Sequence, residues 1–166
     1  MISELGVPIA QLNMTKPRSF MGSLLSGGLG FGMGAGLGAK LAAPQREVIV
    51  AVGDGSYMFG NPVPYHYVSR AENLPTLTIV ANNHMWGAVR QSTLDVFPDG
   101  AAAKANVMPI TQLAPSPDFE KVIETCGGRG ERVDAPGDLL PALERSFAAL
   151  RGGTPAMLNV ITQGRR

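Results

Sequence analysis

The chain predicts an α/β fold, a mostly parallel sheet with helices on both faces. Three observations carry that expectation. Residues 47–52 and 76–81 are short, fully apolar or nearly apolar runs rich in valine and isoleucine, the pattern of strands buried on both sides. Segments with helical periodicity separate these runs and the final apolar run. Strand and helix alternate throughout, which is the order that builds parallel sheets through crossover helices.

Taken in order, residues 2–5 read as the tail of a short strand. Residues 23–41 read as a glycine loop running into a helix, ended near Pro44. The first buried strand follows at 47–52. A helix is expected over 61–72, with Pro62 in its first turn, where its missing N–H costs nothing. The second buried strand spans 76–81, and a short helix begins at 87–94. Residues 96–116 carry Pro98, Pro109 and Pro115 and read as loop. Pro117, Asp118 and Phe119 open a helix that runs to about Cys126 and stops at Gly127-Gly128. Arg132 and Val133 mark a short strand. Residues 136–150 form a helix with Leu139, Leu140, Leu143, Phe147 and Leu150 as its apolar face, and 156–161 form the last strand.

Composition narrows the function classes. A length of 166 residues suits one domain, expected over 1–166. The net charge of +1 and hydrophobic content of 45% give no reason to expect a nucleic-acid partner. The single cysteine, Cys126, excludes an internal disulfide and fits a reducing, cytoplasmic setting. Residues 20–39 lack charge and hold Gly22, Gly30, Gly34 and Gly38 at the spacing of membrane helix contacts. Their scarce aliphatic bulk argues instead for a glycine loop and helix against the sheet, and no membrane partner is expected. A dinucleotide fingerprint fits poorly too, because no strand leads into Gly28-Leu29-Gly30-Phe31-Gly32.

The chemistry lies at the ends of the two buried strands. Val48-Ile49-Val50-Ala51-Val52 runs into Gly53-Asp54-Gly55-Ser56, and Ile79-Val80-Ala81 runs into Asn82-Asn83. In a parallel sheet both clusters fall at carboxyl ends, where α/β proteins bind ligands. Asp and Asn oxygens are hard donors suited to Mg²⁺, which commonly also takes phosphate oxygens. Asp54 read alone is as well explained as a cap in a strand-to-helix turn; the pairing with Asn83 favours a metal-bound diphosphate.

Gly53-Asp54-Gly55-Ser56 followed by Asn82-Asn83 resembles the signature of thiamine diphosphate enzymes. Leu12-Asn13-Met14 with Pro17 and Ser19, Gly27-Gly28-Leu29-Gly30-Phe31 and Trp86-Gly87-Ala88-Val89-Arg90 resemble the pyrophosphate-side domain of acetolactate synthase and benzoylformate decarboxylase. The resemblance covers about 4–160. It implies the cofactors thiamine diphosphate and Mg²⁺. It implies Asp54, Asn83 and the Met85 carbonyl as metal ligands. Gly53, Gly55 and Ser56 would meet the diphosphate, and Asn82 would pin the loop. The Gly27 carbonyl would take the aminopyrimidine amine, with Gly28 beside it, and Leu29 would prop the cofactor in its bent shape. Trp86 and Gly87 would also belong to the cofactor site, and Trp86 with Met85 would shape a substrate pocket. Core packing remains the plain alternative for Leu29, Met85 and Trp86. His66 is expected to be structural or at the surface, His84 is kept as a substrate contact, and Cys126 is read as a small buried hydrophobe.

The resemblance also implies what to look for elsewhere. The family needs a glutamate that activates the cofactor, and it comes from a pyrimidine-binding domain. The glutamates here match no such motif, so no catalytic residue is assigned, and Glu4 does not fill that role. The domain's first helix is expected to be missing. A pyrimidine-binding domain on another chain or in a missing N-terminal part is the expected partner. The fragment of a longer enzyme is favoured over one subunit of a split phosphonopyruvate or sulfopyruvate decarboxylase. The expected activity is a 2-oxo acid decarboxylase or carboligase, acetolactate synthase-like first and benzoylformate decarboxylase-like second, within a homo- or hetero-oligomer. The rival of another class is a non-catalytic regulatory or assembly module.

Overall fold

The computed structural model describes residues 1–5, 7–22, 28–105 and 107–163. Five strands form one parallel sheet in the order β1-β2-β3-β5-β4. They are β1 (Ile2–Ser3), β2 (Ile49–Gly53), β3 (Leu77–Asn82), β4 (Arg129–Val133) and β5 (Ala156–Ile161). The helices are α1 (Phe31–Ala42), α2 (Asp54–Phe59), α3 (Pro62–Ala71), α4 (Gly87–Val96), α5 (Ala101–Lys104), α6 (Phe119–Glu124) and α7 (Leu139–Arg151).

Alternation along the strands sends successive side chains to opposite faces. Val50, Val52, Val80 and Met157 pack with Met33 of α1, Tyr57 of α2, Tyr65 of α3 and Phe119 and Ile123 of α6. Leu77, Leu158 and Ala156 pack with Ala142 and Leu150 of α7 on the other face. Helices therefore cover both faces, as the strand pattern requires. Gly36 lets α1 come close to the sheet: a Cβ there would collide with a methyl of Val50. That explains part of the glycine run, which is helix in its second half, 12 residues long. No helix among the described residues is long and apolar enough to cross a membrane.

Three segments and one residue depart from the sequence reading. Residues 54–59 form α2, which the sequence did not announce. Asp, Gly and Ser are poor helix formers; this turn is held by Tyr57, fully buried edge-on against the Phe119 ring at 5.3 Å. Within the expected loop 96–116 lie the short α5 and an antiparallel contact between Met85 and Gln112. Strand β4 is also longer than Arg132-Val133, reaching back to Arg129. Cys126 is half-buried, with its Sγ 3.7 Å from the Val63 carbonyl oxygen, and so is not the fully buried hydrophobe expected.

Candidate functional site

Four strands deliver their carboxyl ends to one cavity of about 260 Å³. Glu4 and Leu5 follow β1, Gly53 to Ser56 end β2 and open α2, Asn83 to Val89 follow β3, and Thr162 follows β5. Leu29 faces the same space from the turn before α1 and is 41% exposed. The parallel sheet thus gathers Leu29, Gly53, Asp54, Gly55, Ser56, Asn83, Met85, Trp86 and Gly87 around one opening. Gly28 sits one residue before Leu29, where its carbonyl accepts the Phe31 N–H at 3.2 Å. Gly27 lies outside the described residues.

Asp54 is 3% exposed. Its Oδ1 accepts the Gly55 N–H at 2.9 Å and its Oδ2 accepts the Met85 N–H at 3.2 Å. The Met85 N–H also reaches Asn83 Oδ1 at 3.1 Å. One backbone donor thereby ties the two side chains together across two strands. Burial pushes the Asp54 carboxyl above its usual range, and the N–H donors of Gly55, Met85 and His84 act in the opposite sense. A bound dication would reverse the burial effect.

Trp86 explains why position 55 is glycine. Its half-buried indole lies over Gly55 so closely that a Cβ would sit 2.5 Å from the ring. The Trp86 N–H is held by the Thr111 carbonyl at 2.8 Å, and the His84 carbonyl accepts the Leu113 N–H at 2.8 Å. The segment after α5 therefore clamps the loop after β3. His84 adopts a left-handed conformation, φ 60°, and is not among the residues that line the cavity. Asn82 is turned away from the cavity and is occupied by hydrogen bonds to Ser116 and Asn159.

Glu4 was missed by sequence reasoning as a part of this site. Its carboxylate accepts the Gly30 N–H at 2.9 Å and the Gly32 N–H at 2.5 Å, capping α1 from a strand end. Gly30 is left-handed, φ 82°, and rests directly on Gly60 after α2, with no room for a side chain. Glu4 thus fixes the turn that presents Leu29.

Among the lining residues the carboxylates of Asp54 and Glu4, the Asn83 carboxamide and the Ser56 and Thr162 hydroxyls offer hard oxygen donors. Among the described residues no group of three or more His, Cys, Asp or Glu could hold a metal. A hard cation that keeps water or phosphate ligands fits this set; zinc or another soft metal does not. A cavity at the carboxyl ends of a parallel sheet is where α/β domains bind ligands.

The comparisons give the family. Residues 3–160 match the model described as thiamine pyrophosphate enzyme, C-terminal TPP binding domain, and the chain belongs to that family. It is 36% identical over 146 residues to acetolactate synthase large subunit IlvG of Mycobacterium tuberculosis, covering 88% of this chain and 24% of that one. It is 32% identical over 153 residues to a 2-hydroxyacyl-CoA lyase of Oryza sativa subsp. japonica, covering 92% and 25%. Among solved structures, the thiamine diphosphate-dependent 4-hydroxybenzoylformate decarboxylase of Rhodococcus jostii superposes with a TM-score of 0.73 at 31% identity, covering 89% of this chain and 25% of that one. The chain spans about a quarter of the length of these relatives.

Proposed function

We propose that this chain binds thiamine diphosphate through Mg²⁺ as part of a 2-oxo acid decarboxylase or carboligase, acetolactate synthase-like. The observation that carries the reading is the convergence of Asp54, Asn83 and Met85 on one hydrogen-bonded node at the mouth of the cavity. Bound there, thiamine diphosphate supplies a carbon nucleophile for the keto carbon and an acceptor for the electron pair that CO₂ leaves behind.

This chain's residues bind and orient. Asp54, Asn83 and the Met85 carbonyl hold the cation. Ser56 at the start of α2 offers its hydroxyl to a diphosphate oxygen, and the helix start favours the negative charge. Leu29, presented by the Glu4-capped turn, supports the cofactor from the far wall. Trp86 closes the diphosphate end. Among the cavity residues only Asp54 and Glu4 carry carboxylates, and both are engaged by backbone N–H groups. As the resemblance implies, proton transfer on the pyrimidine side would come from a glutamate of a pyrimidine-binding domain, on another chain or elsewhere in a longer one.

Titration calorimetry of the natural polypeptide carrying this sequence tests the reading. Thiamine diphosphate should bind only with Mg²⁺ present, and Asp54→Ala should weaken binding at least 100-fold. Equal binding with and without Mg²⁺ would overturn it. Residues 1–166 alone should give no turnover of a 2-oxo acid; substantial turnover would remove the need for a pyrimidine domain.

A further inference from the structure

Behind the cavity lies a row of buried polar side chains that cofactor binding does not use. Asn82 and Asn159 are fully buried, and Glu120 nearly so. They come from β3, β5 and α6. Asn159 Nδ2 donates to Glu120 Oε2 at 2.7 Å, and Asn82 Nδ2 donates to Asn159 Oδ1 at 3.0 Å. Asn82 Nδ2 also reaches Ser116 Oγ at 3.0 Å, and Asn82 Oδ1 accepts the His84 N–H at 3.1 Å.

The row has a direction. A carboxamide fits a pocket either way round, whereas a carboxylate only accepts. Glu120 therefore draws the NH₂ of Asn159. Asn159 must then present its oxygen to Asn82, which answers with its own NH₂. The oxygen of Asn82 is left facing the loop, where a backbone donor waits. With the row reversed, the Asn82 NH₂ would face the His84 N–H and two donors would oppose one another. Glu120 is fixed in place by its own backbone, which lies directly on Gly130 with no room for a side chain between them.

We infer that Glu120 is a positioning residue for the loop after β3: through Asn159 and Asn82 it selects the amide orientation that holds the His84 N–H, and so keeps Asn83 and Met85 aimed at the cation. The inference rests on the reading of that loop as the Mg²⁺ and diphosphate site. His84 needs such a hold because its left-handed backbone is costly for a residue with a side chain.

The test is hydrogen exchange at the His84 amide, followed by NMR in the natural polypeptide, beside Mg²⁺ titration in the presence of thiamine diphosphate. Glu120→Gln should keep the fold, speed His84 exchange about 10-fold and weaken the apparent Mg²⁺ affinity about 3- to 10-fold. Asn82→Asp should do likewise, since its oxygen would oppose that of Asn159. The pair Glu120→Gln with Asn82→Asp should recover both, because the row then runs in reverse with a carboxylate at the loop end. Recovery in the pair supports the inference even if a single variant fails to fold. Unchanged exchange and Mg²⁺ affinity in Glu120→Gln, or a pair no better than its singles, would overturn it. Absence of Mg²⁺ binding in the unaltered chain would overturn the site reading instead, and the exchange rates would still decide this one.

Discussion

At the residue scale, two buried groups make sharp predictions. Gly55 lies beneath the only tryptophan in the chain. Gly55→Ala should tilt the Trp86 ring away, shift its fluorescence to longer wavelength and cost about 1–3 kcal/mol in denaturant unfolding. His66 is buried with its Nε2 2.7 Å from Tyr57 Oη, and burial pulls its pKa down to about 4. The unfolded chain takes up this proton near pH 6.5, the folded chain only near 4. The unfolded state therefore binds more protons across that window, and stability must fall as pH drops through it. The loss should approach roughly 3 kcal/mol at pH 4, and His66→Gln should flatten that part of a urea midpoint-versus-pH curve.

At the scale of the element, α1 and α7 are the informative helices. Glycine-rich α1 is a poor helix by propensity, and the Glu4 carboxylate offsets that weakness at its first turn. Glu4→Ala should cost about 1–2 kcal/mol and lower thiamine diphosphate affinity by freeing the Leu29 turn, read by thermal melting and calorimetry together. Helix α7 contains the buried Ser146, whose hydroxyl has no partner among the described residues. Ser146→Ala should therefore stabilise by about 0.5–1 kcal/mol through better helix propensity and loss of an unpaired polar group, seen as a raised Tm. Most of these elements are legible from residue pattern alone. The strands 49–53, 77–82 and 156–161 declare themselves by mostly apolar runs, and Asp54 and Asn83 by standing where the first two end. Helix α2 and the Glu4 cap are not legible. The first depends on Tyr57 meeting α6, and the second pairs Glu4 with backbone donors 26 and 28 residues away. Likewise Asn82 meets Asn159 across 77 positions, a pairing that no local pattern marks.

For the whole molecule, the distribution of apolar surface matters. Val96, Phe97, Val107 and Ile110 are each more than half exposed, and Ile110 reaches 93%. They lie in α4, just after it, and in the segment that leads to the clamp on the loop after β3. Contiguous exposed apolar surface marks contact sites, and these four side chains are the candidates for one. Sedimentation of the natural polypeptide should show species heavier than one copy, and Val96→Asp with Phe97→Asp should shift it toward the single copy. A monodisperse single copy of the unaltered chain would count against that assembly.

The strand order has a consequence for how the molecule comes into being. Strand β5, the last of the five in the chain, lies inside the sheet between β3 and β4. Leu77 pairs with Ala156, and Arg129 with Ala156 as well, so β4 has no hydrogen-bonded neighbour until β5 arrives. A parallel sheet offers no hairpin to begin from, and such distant pairings form slowly. During synthesis β1, β2 and β3 can zip up while β3 still shows an open edge to the cell. The last strand is the keystone: a ribosome that stalls before residue 156 leaves a half-sheet, and the loop after β3 then has no Asn159 behind it.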